Sequence, residues 1–270
     1  MPEGHTVHRT ALQFERNFAG APVFVDSPQG RFAGSAVLVS GQTLISARAI
    51  GKQLFLDFPA GQTIRIHLGI YGKWTWHRGE GVVSGLLTEV PVGQVRARFW
   101  SHNTLAELRG PTVCEVATAE QIREVESRLG PDPLNPDPDG SARARFVQAV
   151  ARSKQPIGLL LMDQSVLSGV GNVYRAELLF RAGIDPYSPG SALPVESIEA
   201  LWDDAVILLR VGVKTGFMIT RDEFFAKNPG KADRNWVYKR EGQPCRSCGV
   251  TINLALAAGR KLYWCPSCQV

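Results

Sequence analysis

Residues 245–268 read Cys245-Arg246-Ser247-Cys248-Gly249-Val250-Thr251-Ile252-Asn253-Leu254-Ala255-Leu256-Ala257-Ala258-Gly259-Arg260-Lys261-Leu262-Tyr263-Trp264-Cys265-Pro266-Ser267-Cys268. Two C-x2-C knuckles are separated by sixteen residues. Each knuckle can offer two thiolates, and a short hairpin between them closes a tetrahedral shell with no position left for water. The spacing therefore reads as a structural Zn2+ site that shapes the protein and takes no part in its chemistry. Lys231, Arg234, Lys239, Arg240, Arg246, Arg260 and Lys261 surround it, against only Asp233 and Glu241. A small basic zinc hairpin points to a phosphate backbone as partner.

The whole chain, at 270 residues, is long enough for two domains plus this module. Its net charge of +5 permits nucleic-acid binding without requiring it. The sequence has no apolar run near twenty residues, and His5, His8 and Arg9 break any signal-peptide pattern. The expectation is a cytoplasmic protein with no membrane partner. Cys114 stands apart from the other four cysteines, so a disulfide framework is not expected, and it reads as a small buried hydrophobe.

Upstream, Val7, Ala11, Phe14 and Phe18 recur at steps of four, three and four, the buried stripe of a helix over 4–18. Short β-rich runs follow at 23–25, 36–39, 54–58, 63–67, 73–76, 95–100 and 104–108, spaced as in a sandwich or barrel. Residues 130–140 hold four prolines and cannot continue a helix or a central strand. Beyond them the pattern is helical: from Ser141 to about Ser153, from near Pro156, from near Gly171, and over 195–213. The predicted fold class is α+β and multidomain: an N-terminal helix with a β-sandwich, a C-terminal helical domain, and a zinc-finger β-hairpin. Ser168-Gly169-Val170-Gly171-Asn172 falls between two helices, where a tight turn can aim backbone N–H groups at one phosphate. Arg143, Arg145, Arg152 and Lys154 lie just upstream with no acidic residue among them.

The sequence opens Met1-Pro2-Glu3-Gly4. Removal of Met1 exposes the secondary amine of Pro2, and an N-terminal amine, with a pKa of about 7.7–8.0, is partly neutral and nucleophilic near pH 7. Pro2-Glu3, Gly51-Lys52-Gln53-Leu54, the run Asp163-Gln164-Ser165 through Leu167-Ser168-Gly169-Val170-Gly171-Asn172-Val173-Tyr174-Arg175-Ala176-Glu177, and Gly259-Arg260-Lys261-Leu262-Tyr263-Trp264-Cys265-Pro266 occur in one chain in that order. Together with the four cysteines they resemble the formamidopyrimidine-DNA glycosylase and endonuclease VIII family of base-excision repair enzymes.

That resemblance implies a role for each matching position. Pro2 is the nucleophile that attacks C1′ of the damaged nucleotide and forms a Schiff base; Glu3 moves protons at the sugar. Lys52 assists catalysis beside the phosphates. Asn172, with nearby backbone amides, holds a phosphate flanking the lesion, and Arg260 contacts phosphate and supports elimination. Arg128 is similar to an endonuclease VIII phosphate contact. Ile70 and Tyr71, in the loop at 67–72, wedge between bases once the nucleotide is rotated out of the stack. Gly69 stands where endonuclease VIII enzymes often carry glutamine. The implied layout is a catalytic β-sandwich domain at 1–115, a helix at 116–130, a linker at 131–140, a helix–two-turn–helix domain at 141–230 and the zinc finger at 231–270. Contacts to the flipped base are expected from 215–235.

Pro-Glu-Gly at the start, Tyr71 and Gly158 lean toward the endonuclease VIII branch, whereas His67-Leu68-Gly69 is closer to the other. The expected activity is a bifunctional DNA glycosylase and apurinic/apyrimidinic lyase that removes oxidised pyrimidines from double-stranded DNA as a monomer. The alternatives are an 8-oxoguanine or formamidopyrimidine glycosylase and a non-catalytic damage-binding protein. Zinc is expected to order a hairpin too small for a core of its own.

Overall fold

A computed structural model describes residues 2–227 and 229–270. The chain divides into two compact units. Pro2 and Val7–Arg128 belong to the first, and Glu3–Thr6 with Leu129–Val270 to the second.

The first unit holds most of helix α1 (Gly4–Phe18) and two antiparallel sheets. One sheet runs β2 (Gln42–Thr43), β1 (Pro22–Asp26), β7 (Val95–Trp100), β8 (Thr104–Arg109), β6 (Lys73–Arg78); the other runs β3 (Ser46–Ile50), β4 (Gln53–Asp57), β5 (Thr63–His67), β9 (Val113–Ala117). Both sheets send alternate side chains into one core. Val23, Val25, Phe99 and Leu108 come from the first, Leu54, Leu56, Ile64 and Ile66 from the second, and Val7, Ala11, Phe14 and Phe18 from α1. The helical stripe read at steps of four, three and four is thus the face that closes the sandwich.

Residues 36–39, expected as a strand, lie in helix α2 (Ala33–Val39). Ala36 and Val39 are buried while Val37 and Leu38 between them are exposed, a three-residue spacing that a strand does not produce. Strands β3 and β9 and helix α3 (Glu80–Thr88) lay outside the predicted elements. In β3 the buried positions are only Ala47 and Ala49, too small to give an apolar alternation. Helix α4 (Ala119–Ser127) begins in a reciprocal Thr118–Gln121 capping box.

The second unit is built from α5 (Ser141–Ala151), the four-residue α6 (Ile157–Leu160), α7 (Asn172–Arg181), α8 (Val195–Thr215) and the zinc hairpin β10 (Asn253–Ala257) and β11 (Arg260–Trp264). Its proline-rich opening is packed. Pro131, Asp132 and Pro133 are buried, and Gly130 N and Ser168 N donate to Gln164 O and Pro131 O. Helix α7 is buried along its whole length except Arg181. One of its faces joins the helical core around Tyr174, Leu178 and Leu179; another, with Ala176 and Phe180, joins Val237, Ile252 and Tyr263 beside the zinc cysteines. Among the described residues no helix is long and apolar enough to cross a membrane.

Candidate active site and zinc centre

Glu3 is fully buried, and its carboxylate sits on the N-terminus of α7. Oε2 accepts from Gly171 N (2.9 Å) and Tyr174 N (3.4 Å), and Oε1 from Val173 N (2.8 Å). These are among the amide groups a helix cannot satisfy by itself, and the helix dipole favours a negative charge there. Gly171 and Gly4 follow from this approach, and Gly169 from its φ of +97°. A Cβ on Gly171 would lie 2.5 Å from Glu3 Cδ, and one on Gly4 2.8 Å from Gly169 Cα; Gly4 N donates to Gly169 O at 2.8 Å. The turn was expected to aim its amides at a phosphate. Three amides at this helix start are instead occupied by the chain's own carboxylate.

Asn172, expected to hold phosphate beside those amides, is 7% exposed and turned to protein. Its Nδ2 donates to Lys261 O (2.9 Å), and Arg175 Nη2 donates to the same carbonyl (3.0 Å) and to Asn172 Oδ1. Two donors from α7 thereby fix the residue next to Arg260, at the start of β11. Arg175 is fully buried, with Nη1 on Gly158 O (3.3 Å). Burial pushes its guanidinium down to about 10, with repulsion from Arg260 acting the same way and Glu3 opposing both. It is therefore charged near pH 7 and close to Arg260. Arg175 lies in the run that carries the family resemblance, which implies no role for it. Its spacing of three from Asn172 on one helix was the available signal.

Glu177 was likewise passed over. This fully buried carboxylate accepts from Trp236 N, Val237 N and Tyr238 N at 2.7, 2.9 and 2.8 Å and from the Thr220 hydroxyl. It gathers the segment that leads into the zinc module.

The four cysteine sulfurs lie within 4.8 Å of one another, with Cys245–Cys268 at 3.9 Å and Cys248–Cys265 at 3.4 Å. Sulfurs on a tetrahedral zinc with bonds of about 2.3 Å are separated by about 3.8 Å, so the set fits a structural Zn2+. Ala257 pairs with Arg260 across a two-residue turn, Ala258-Gly259, with φ of +48° and +72°. Arg260 is thus on the hairpin's exposed shoulder. The surrounding basic residues divide. Arg240 donates to Trp236 O and Pro244 O, Arg234 stacks on Phe217 and Arg246 donates to Ala232 O; Lys231, Lys239, Arg246, Arg260 and Lys261 are exposed, with Lys261 paired to Glu241. On α5, Arg143 pairs with Glu199 and Asp203 of α8, so the basic run has acidic neighbours in space that the sequence did not show.

The remaining expected site residues belong to the first unit, Pro2 among them. Lys52 follows Gly51 in the two-residue turn between β3 and β4. It lies at the same end of the sheet as the turn after β5, because Gln53 pairs with His67. Ile70 and Tyr71 are 55% and 84% exposed, outside the β-domain core. Gly69 has φ +63°, and a Cβ there would lie 1.9 Å from Thr112 Oγ1, so the turn itself demands glycine. Arg128 is exposed at the end of α4 and pairs with Glu124.

His67 Nδ1 accepts from Gly69 N at 3.2 Å, a role open only to an unprotonated nitrogen. Burial first, then the charges of Lys52 and Arg65, hold its pKa below the ordinary histidine value. The unfolded chain therefore takes up a proton before the folded one as pH falls below about 6.5, and stability is lost in that window. The thermal midpoint is expected to drop more between pH 7 and pH 5 for the wild type than for His67→Gln. Parallel curves would contradict this account of the turn.

Three family models match consecutive parts of the chain. They are described as the formamidopyrimidine-DNA glycosylase N-terminal domain (residues 1–124), the formamidopyrimidine-DNA glycosylase H2TH domain (129–223) and a zinc finger found in FPG and IleRS (242–270). Endonuclease 8 1 of Mycobacterium tuberculosis is 47% identical over 275 residues, covering all of both chains. The chain belongs to the formamidopyrimidine-DNA glycosylase/endonuclease VIII family. A probable endonuclease 8 2 of Streptomyces coelicolor is 31% identical over 277 residues, covering all of this chain and 94% of that one. The MutM (Fpg) protein of Thermus thermophilus shares the fold, with a TM-score of 0.76 at 27% identity over 99% of this chain and 98% of that one. Lactococcus lactis Fpg bound to DNA containing an AP site shares it too, with a TM-score of 0.78 at 21% identity over 99% of each chain. As a member of this family of DNA glycosylases, the protein carries the family's zinc finger on the four clustered cysteines.

Proposed function

We propose that the protein is a bifunctional DNA glycosylase and AP lyase that removes oxidised pyrimidines from duplex DNA. The observation that carries the reading is the clamp on Glu3. Three amides at the start of α7 fix the carboxylate whose residue is one peptide bond from Pro2. Preorganisation of this kind lets a weakly basic amine act at one carbon atom. The Pro2 nitrogen attacks C1′, the glycosidic bond breaks, and the base leaves with a proton; transfer of the amine proton to O4′ as the C1′–O4′ bond breaks opens the ring and gives an iminium at C1′. Withdrawal of electrons by that iminium acidifies the C2′ proton, whose removal expels the 3′ phosphate. Water then hydrolyses the imine and frees Pro2.

Glu3 moves protons at the sugar in this scheme, and Lys52, Arg128 and Arg260 hold phosphates. Asn172 acts through β11: its bond to Lys261 O supports the placement of Arg260. Ile70 and Tyr71, exposed on a tight turn, fill the gap left by the rotated nucleotide. The pyrimidine assignment rests on full-length similarity to an endonuclease 8. Gly69 does not count against it, because the local backbone and Thr112 require that glycine.

The test is borohydride trapping of the processed protein on duplexes that carry thymine glycol, 8-oxoguanine or an abasic site, with Pro2→Gly alongside. An adduct on thymine glycol that is lost in Pro2→Gly, with DNA binding retained, is the expected result. Trapping on 8-oxoguanine alone would move the protein to the other branch. No adduct even on the abasic site would leave a damage-binding protein.

A further inference from the structure

Gly212 lies inside α8, a position where glycine is less favourable than alanine. The reason for it is space. A Cβ at 212 would sit 2.4 Å from Tyr174 Oη and 2.7 and 2.8 Å from His5 Cγ and Cβ. Neither neighbour can yield easily. Tyr174 is fully buried, its hydroxyl donates to Leu208 O (3.4 Å) one turn before Gly212, and its ring meets His5 edge-on at 5.4 Å. The His5 atoms are those nearest its backbone, and His5 is 2% exposed.

Between His5 and Pro2 the chain has no slack. Gly4 N is bonded to Gly169 O, with Gly4 packed against the Gly169 backbone, and Glu3 is held at the start of α7, including by Tyr174 N itself. A shift imposed on His5 is therefore passed along consecutive residues to Pro2.

We infer that Gly212, Tyr174 and His5 are positioning residues for the N-terminal nucleophile: the absent side chain at 212 lets α8 close on His5, and His5 sets where the Pro2 amine lies. The inference rests on the reading of Pro2 as the nucleophile. It is specific to this chain's own His5-Gly212 pair and adds residues outside the expected catalytic set.

The experiment uses full-length, zinc-loaded protein and measures two quantities. One is the single-turnover rate of borohydride-trappable imine at saturating abasic duplex; the other is Kd for a duplex with a reduced, uncleavable abasic analogue. Gly212→Ala is expected to slow imine formation by about 10- to 100-fold with Kd changed less than about threefold, since a small misplacement of reacting atoms costs rate and leaves the DNA contacts in place. Removing the nearest obstructing atom while keeping His5, in Gly212→Ala/Tyr174→Phe, is expected to recover part of that rate. His5→Ala alone, which adds no bulk, removes the seat and is expected to slow imine formation at unchanged Kd even if Gly212→Ala folds poorly. Wild-type trapping with unchanged rates in both single variants would overturn the inference alone, as would rate and affinity falling together. Failure of the wild type to trap would overturn the reading of Pro2 and this inference with it.

Discussion

Zinc-stripped protein is expected to bind duplex DNA about 10- to 100-fold more weakly, the loss that accompanies one or two phosphate or base contacts of arginine type. Strands β10 and β11 have five residues each, and a two-stranded hairpin of that size is at best marginal in water. It does not stand wholly without a core: Val237, Ile252 and Tyr263 share one with Ala176 and Phe180 of α7. This modifies the sequence expectation of a coreless module. The borrowed cluster is small beside the roughly 10–16 kcal/mol that zinc contributes to such modules. Chelation is thus expected to melt the knuckles and release Arg260 and Lys261 from their register, while the helical core around Phe146, Leu178 and Trp202 persists. Near-ultraviolet and amide-exchange signals should separate the two events, and added Zn2+ should restore binding. Undiminished DNA affinity in protein shown to be free of zinc would sink the claim that the hairpin holds Arg260 for DNA.

The contrast between what the sequence disclosed and what it hid follows from the range of the interactions. The zinc set was legible because metal geometry constrains cysteine spacing along the chain, and α1 because its core face repeats at a helical period. Strand β5 was legible by alternation at the residues where it occurs, Thr63–His67. Helix α2 was misread because Ala36-Val37-Leu38-Val39 has no polar residue to mark which side faces water. The Ser168–Asn172 segment reads as a tight turn that presents amides at a helix N-terminus, which is where α7 begins. That Gly171 N meets the Glu3 carboxylate was not legible, because a partner 168 residues away in sequence leaves no local trace. Arg143 shows the same limit: its basic run looks unopposed until α8 brings Glu199 and Asp203 alongside.

Glu177→Ala is expected to lower the stability of the second unit by about 3–5 kcal/mol, the cost of leaving several buried donors without an acceptor. Three consecutive amides, Trp236 to Tyr238, and the Thr220 hydroxyl all donate to this one carboxylate. The nearby side chains cannot replace it, since Arg240 and Arg181 bring further donors, to Trp236 O and Thr220 O. At about 2–4 °C per kcal/mol for a unit of this size, the thermal midpoint should fall by roughly 10 °C. Glu177→Gln should lie between, because its amide keeps one accepting oxygen and turns the other position into a donor facing donors. Loss of exchange protection at the Val237 amide, ahead of the α5 amides, would locate the damage; a midpoint within a degree of wild type would show that the segment is held by other means. Helix α7 thus receives a carboxylate from Glu3 at its N-terminus and offers one from Glu177 to the segment before the zinc module. The same ten-residue helix fixes the residue beside Pro2 and, through Asn172 and Arg175, the residue beside Arg260.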